Sequence, residues 1–289
     1  MTQPPHKQTL LKEPRFTKDD ARHDITVVPL RRGLKQRITH RKHPARILPQ
    51  KASLHSNALR PSPHALEASV HALQTGKGFM QALKWNEAIA YFNEALTLNP
   101  TLTAAWHALA HAYHALEVSE LAFDAFQEVL RLDPFNTQVL KPLAYLSSTL
   151  RLWDKATHYF QRYINLFSAS EGDYFSYAVA LEHEERFEEA IAVYDSLIAQ
   201  EAQHLPALNN RAGCYMNLNE YEQAIAGFQH VLHMMPNFSR AILGLAIAQD
   251  MAGQPAHAIL GYRRYLHVQP CGGHAQSVEE RLEELRAIR

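Results

Sequence analysis

The apolar positions between residues 69 and 272 return on a fixed period. Steps of 34 residues from Ala88 land on Ala122, Ala156, Ala190, Ala224 and Ala258. Four residues further on, the column reads Phe92, Phe126, Phe160, Tyr194, Phe228 and Tyr262. A third column, Leu96, Leu130, Ile164, Ile198, Leu232 and Leu266, is aliphatic throughout. Residues four apart share one face of a helix. The spacing therefore predicts a helix in every period, with a small residue that admits a close neighbour and an aromatic that fills the space beside it. Pro100, Pro134, Pro236 and Pro270 end four of these segments, because proline cannot continue a helix.

A second apolar pattern runs upstream of each such helix, best seen in Trp106, Leu109, Ala110 and Tyr113, and predicts a partner helix. Each period is then a helical hairpin, which cannot bury its apolar face alone and must stack on further copies. The period, together with Trp106, Leu109, Ala110, Tyr113, Ala122, Phe126 and Pro134 at their spacing, resembles the tetratricopeptide repeat. Six units fit without insertion, at residues 69–102, 103–136, 137–170, 171–204, 205–238 and 239–272. The resemblance implies an all-α fold, a right-handed superhelical solenoid of helix-turn-helix repeats, and a protein-binding surface rather than an enzyme. Two units depart from the pattern by carrying Ser168 and Ala202 where the closing proline stands elsewhere. Pro142 falls inside the first helix of the third unit, which predicts a delayed start there.

The ends of the array have their own signals. Ser62 followed by Pro63 reads as an N-cap with proline at the first helical position, so the ordered chain is expected to begin there. Beyond the break at Pro270, Gly272 and Gly273, the segment from Ser277 places Val278, Leu282 and Leu285 on one face amid charge, as a capping helix for the open end of a solenoid requires. The expected organisation is a disordered basic arm at 1–61, six repeats over 62–272 and a C-terminal capping helix at 273–289.

Charge sharpens that division. The net charge of the 289-residue chain is zero, yet residues 1–66 hold 14 Lys or Arg against 4 Asp or Glu, and residues 67–289 hold 15 against 25. Arg31, Arg32, Lys35, Arg37, Arg41, Lys42, Arg46 and Lys51 form a run without an acidic residue. Such a run serves as a solvated tail or contacts an acidic protein surface, nucleic acid or anionic lipid. It has no aromatics to stack on single-stranded bases, which disfavours nucleic acid. Glu182, Glu184, Glu185, Glu188 and Glu189 crowd one inter-helix turn and are the expected partner for an intramolecular contact with the arm. No apolar stretch approaches the length of a membrane span, and the first thirty residues lack a secretory pattern, so a cytoplasmic protein is expected. The two cysteines, Cys214 and Cys271, have no metal-like spacing, and Cys214 is expected to pack as a small hydrophobe.

In this family the first helices line the groove, and three columns at spacings of four and three point into it. Peptide-binding members carry an Asn at the position of Asn210, because an amide donates and accepts at once. Asn209 beside it and Arg240 at the start of the next unit add polar contacts, and Asn210 and Arg240 are expected at the surface. The same columns supply His107, His111 and His114, then Lys141 and Tyr145, then Phe175. These nine residues are the candidate partner-binding set. A histidine pair four apart can hold a metal, but such sites normally recruit further ligands and the stripe reads as solvated, so no metal or cofactor is expected. The Lys and Asn set with which some members clamp a chaperone's carboxylate tail is not supplied by any three consecutive units. No phosphate loop, nucleophile elbow or zinc-protease helix is present. The expected function is a non-enzymatic adaptor or scaffold holding a peptide segment or helix of a partner protein. The alternative is a nucleic-acid-associated regulator whose basic arm contacts phosphates while the repeats recruit partners.

Overall fold

A computed structural model describes residues 61–287. The described residues form thirteen α-helices and no strand. In chain order these are α1 (Pro63–Gln81), α2 (Trp85–Leu98), α3 (Thr103–Ala115), α4 (Ser119–Leu132), α5 (Leu140–Thr149), α6 (Trp153–Leu166), α7 (Glu171–His183), α8 (Phe187–Gln200), α9 (Leu205–Asn217), α10 (Tyr221–Met234), α11 (Ser239–Met251), α12 (Pro255–Val268) and α13 (Ala275–Ala287). They fall into two compact units divided between Glu185 and Arg186, the first holding α1 to α7 and the second α8 to α13. Within each unit every helix packs on its neighbours in sequence, and the first helices of successive hairpins also touch, α1 with α3 and α9 with α11. The basic run of the arm lies outside the described residues.

The alanine column is the line of closest approach. All six alanines are fully buried, and the aromatic column is at most 2% exposed. The third column is less buried than its aliphatic character predicts, since Leu130, Ile164, Ile198 and Leu266 remain half-buried. The reason is angular: eight residues beyond the alanine a helix has drifted about 80° off the stripe, whereas seven residues bring it back to within about 20°. Ala95, Val129, Leu197, Val231 and Tyr265, seven residues on, are indeed the buried set. Glycine takes over where even a methyl is too large. A Cβ at Gly244 would stand 2.5 Å from the Phe228 ring, and one at Gly227 would stand 2.8 Å from the Ala212 methyl.

The turns repeat as strictly as the core. Leu83, Glu117, Arg151, Glu185, Asn219 and Gly253, again 34 apart, all adopt a left-handed backbone with φ between 56° and 71°. In α1 the Lys84 amide donates to the Phe79 carbonyl at 2.9 Å and the Leu83 amide to the Met80 carbonyl at 3.0 Å, the Schellman pattern that satisfies the last carbonyls of a helix. The same pair of bonds closes α3, α5, α9 and α11. Pro142 acts as expected. The first helices α3, α7, α9 and α11 start at the first residue of their units, whereas here a 3-10 turn over Thr137–Val139 precedes α5, which starts three residues late. That shift puts Pro142 in the first helical turn, where its missing N–H is not needed.

Both ends match their sequence signals. Ser62 Oγ accepts from the Ala65 amide at 3.2 Å, with Pro63 opening α1. Val278, Leu282 and Leu285 are buried on α13. That helix is also held by a bidentate ion pair, Arg281 Nε and Nη2 donating to the two Asp250 carboxylate oxygens at 2.7 and 2.9 Å. Cys214 is buried in α9 and Cys271 is exposed. Among the described residues no helix is long and apolar enough to cross a membrane.

Because Ala190 has no exposed surface, Ala190→Phe forces extra volume into the line of closest approach and is expected to lower stability by about 1 to 3 kcal/mol. Thermal melting followed by circular dichroism checks this, and an unchanged melt contradicts the proposed packing.

Candidate partner-binding surface

In the first unit one stripe of α3 carries three imidazoles, His107, His111 and His114. The rings of His107 and His111 lie 4.6 Å apart, centroid to centroid, and both stand edge-on to the buried Phe126 ring, at 5.9 and 5.2 Å. The histidine stripe thus covers the aromatic column of its own repeat, with His111 and His114 still exposed. Burial, and then the neighbouring His107 and His114, push the His111 pKa down to about 4. Burial, and then Lys77 on α1, push that of His107 below its ordinary value. Both rings are therefore neutral near pH 7, each offering one hydrogen-bond donor and one acceptor. Among the described residues no group of three or more His, Cys, Asp or Glu is placed to hold a metal ion.

Lys141 and Tyr145 on α5, which were expected to face a ligand, also make contacts within the unit. Asp173 at the start of α7 is 1% exposed and accepts from Lys141 Nζ at 2.9 Å and from the Tyr145 hydroxyl at 2.7 Å. It also accepts from the Ser170 amide and hydroxyl at 2.9 and 2.8 Å, which makes it half of the capping box of α7. Burial alone would raise the Asp173 pKa, but Lys141, the Ser170 backbone and Tyr145 outweigh it and hold the carboxyl below its usual range. The Tyr145 ring stands edge-on to Phe160 at 5.2 Å, repeating the cover that His111 gives Phe126. Lys141 is 5.4 Å from the centre of the Tyr163 ring, a cation held over an aromatic face. Phe175 on α7 is half-buried.

In the second unit the expectation that Asn210 lies at the surface is corrected. Asn210 is 8% exposed, and its Nδ2 donates at 3.1 Å to the hydroxyl of Tyr194, itself fully buried. A buried tyrosine hydroxyl needs a partner, and the Asn210 amide provides it. Asn209 Nδ2 donates to Asn210 Oδ1 at 3.4 Å. Asn209 Oδ1, by contrast, is buried without a partner among the described residues. Arg240, at the second position of α11, is exposed as expected. The acidic turn offers less than its sequence suggests, because Glu182 is buried and Glu189 accepts from Arg186 Nε at 2.7 Å.

The sequence held one signal that points to these ties. The aromatic column is Phe in four units and Tyr in two, and both hydroxyls find buried or half-buried polar partners. Tyr194 pairs with Asn210, and Tyr262 donates to Asp250 at 3.0 Å, joining the ion pair that secures α13.

Residues 73–137 and 181–233 each match a tetratricopeptide-repeat family model. This chain is a tetratricopeptide-repeat protein. Repeats of this family mediate protein–protein interaction. The tetratricopeptide repeat and J domain-containing co-chaperone DNJ1 of Fusarium oxysporum f. sp. lycopersici is 28% identical over 162 residues, 52% of this chain and 30% of that protein. The tetratricopeptide-repeat chain thus corresponds to less than a third of that relative's length. Among solved structures, YrrB, described as a TPR protein with an unusual peptide-binding site, aligns with a TM-score of 0.53 at 20% identity, over 61% of this chain and 91% of its own. The Naa15/Naa10 complex bound to HypK-THB aligns with a TM-score of 0.56 at 19% identity, over 78% of this chain and 34% of that one. At these identities the structural likeness supports the solenoid fold.

Asn210 and Tyr194 should behave as a coupled pair. Either Tyr194→Phe or Asn210→Leu alone removes one side of a buried hydrogen bond and is expected to cost about 1 to 3 kcal/mol, while the double variant costs less than the two single changes combined. Chemical denaturation of the four proteins measures the coupling, and strict additivity contradicts the bond.

Proposed function

We propose that this tetratricopeptide-repeat protein is a non-enzymatic adaptor that holds a peptide segment or helix of a partner protein on the inner stripe of its first helices. The observation that carries the reading is the α3 stripe. His111 and His114 remain exposed at groove positions, and the His111 ring, neutral near pH 7, rests on a buried aromatic. An uncharged surface with aromatic faces and paired donor and acceptor atoms suits a protein ligand, because it is desolvated at lower cost than a charged one. Arg240 in the second unit contributes an exposed cation for an acidic or carbonyl group. Lys141 and Tyr145, committed to Asp173, act by fixing α5 against α7, and Asn210 by fixing α9 against α8. The phosphate-binding alternative gains no support from the repeats, where 25 acidic residues face 15 basic ones.

Retention of partner proteins by the full-length chain, quantified against His111→Ala/His114→Ala and Arg240→Ala variants, tests the reading. Because all three side chains are exposed, melting should be nearly unchanged while partner retention falls by about tenfold or more in at least one variant. Equal retention by all three proteins contradicts it.

A further inference from the structure

We propose that two copies of this chain associate through their C-terminal ends, the outer stripe of α12 in each copy lying against the exposed face of α13 in the other. This surface is separate from the inner stripe of the first helices and goes beyond the adaptor reading.

The stripe on α12 departs from the pattern of its own repeat. Two residues past the alanine column, a step of about 200° that leaves the buried face, the second helices carry Ala90, Asp124, His158, Ala192, Ala226 and Leu260. Three residues on, the column reads Asn93, Gln127, Gln161, Asp195, Gln229 and Arg263. The last unit alone thus sets a large apolar residue beside a cation. Leu260 is 63% exposed, and Arg263 and His267 on the same helical face are exposed with it. Arg264 donates to the Pro236 carbonyl and so belongs to the fold. Arg263 has no ion-pair or hydrogen-bond partner among the described residues. A single exposed leucine is ordinary. A leucine and an unpaired arginine that both break their columns on one face call for a partner.

Charge says which partner. Residues 223–278 hold one acidic residue, Asp250, and the Arg281 guanidinium already engages its carboxylate. The same span holds Arg240, Arg263 and Arg264. The next helix is the reverse. Glu279, Glu280 and Glu283 of α13 are exposed, outside the stripe of Val278, Leu282 and Leu285 that it buries. Because α12 packs on α13, a cationic face and an anionic face adjoin at one end of the molecule. A nucleic acid or an anionic lipid surface drawn to Arg263 would meet three carboxylates on the neighbouring helix. A second copy turned about a two-fold axis meets no such conflict. It sets its carboxylates opposite Arg263 and its own Arg263 opposite the carboxylates, so every contact is made twice. Exposed ion pairs are individually weak, and the doubling, with Leu260 of both copies between them, supplies the rest. Two joined copies present two inner stripes, which strengthens the hold on any partner that carries two binding segments.

Sedimentation equilibrium of the full-length chain at low ionic strength tests the proposal, with reductant present because Cys271 is exposed. The native chain is expected to dimerise and to dissociate as added salt screens the pairs. Arg263→Glu and Glu279→Arg/Glu283→Arg are each expected to weaken the dimer by about tenfold or more while leaving the melt unchanged, since all three side chains are exposed. An equimolar mixture of the two variants should then dimerise as tightly as the native chain, because each reversed charge meets a reversed partner and each native charge a native one. A native chain that stays monomeric overturns the proposal. So does a dimer that neither variant weakens, or one that both weaken and mixing does not restore. Binding of a monomeric chain to phosphatidylserine vesicles that Arg263→Glu abolishes also overturns it, and gives the stripe to a lipid surface instead.

Discussion

Two helices can close around a buried aromatic ring only where one of them presents no more than a methyl group, and this constraint is met once per 34 residues through the described repeats. The fully buried column from Ala88 to Ala258 sets the line of approach. The ring four residues on fills the space beside it, and the left-handed residue after each first helix turns the chain so that the next helix arrives in register. Dispersion and apolar burial along such a stripe are additive from repeat to repeat. Where the contact tightens further, at Gly227 and Gly244, the side chain disappears altogether. The constraint acts on a few positions per unit and leaves the inner stripe of the first helices free to vary.

That freedom has been used in two ways. Some inner positions became ties between helices. Lys141 and Tyr145 of α5 reach Asp173 of α7, Asn210 of α9 reaches Tyr194 of α8, and Asp250 of α11 holds Arg281 of α13. Each tie is buried or half-buried and satisfies the groups it gathers, so it fixes the geometry of neighbouring elements without offering a surface. Other inner positions stay uncommitted: the exposed imidazoles of α3, Arg240, and the Asn209 acceptor. On the proposed reading, a partner meets a face whose shape the ties have already set, which reduces the ordering cost of association.

The core was legible in the sequence because it is periodic. Alanine and aromatic columns, the delayed helix at Pro142, the cap at Ser62 and the apolar face of α13 all follow from rules that act within one helix or one turn. Tertiary pairing was less legible. Asp173 lies 32 residues from Lys141 and 28 from Tyr145, so its partners belong to the preceding repeat, and reading each groove column separately gives no sign of them. The same blindness put Asn210 at the surface, although a tyrosine in a phenylalanine column already asked for a polar neighbour. The aliphatic column through Leu130 and Ile164 misled for a simpler reason, since steps of four drift off a stripe that turns every 3.6 residues.

The division of the inner stripe into ties and binding positions is tested most directly by comparing the thermal melts of Asp173→Ala and Asn209→Leu in the full chain. Asp173→Ala removes the partner of Lys141 and Tyr145 and the cap of α7, and is expected to lower stability by about 2 kcal/mol or more. Asn209→Leu gives up one long hydrogen bond and an acceptor with no partner among the described residues, so its melt should stay at or above that of the native protein. An Asn209→Leu melt depressed as far as that of Asp173→Ala would contradict the account, because Asn209 would then be a structural tie like the others.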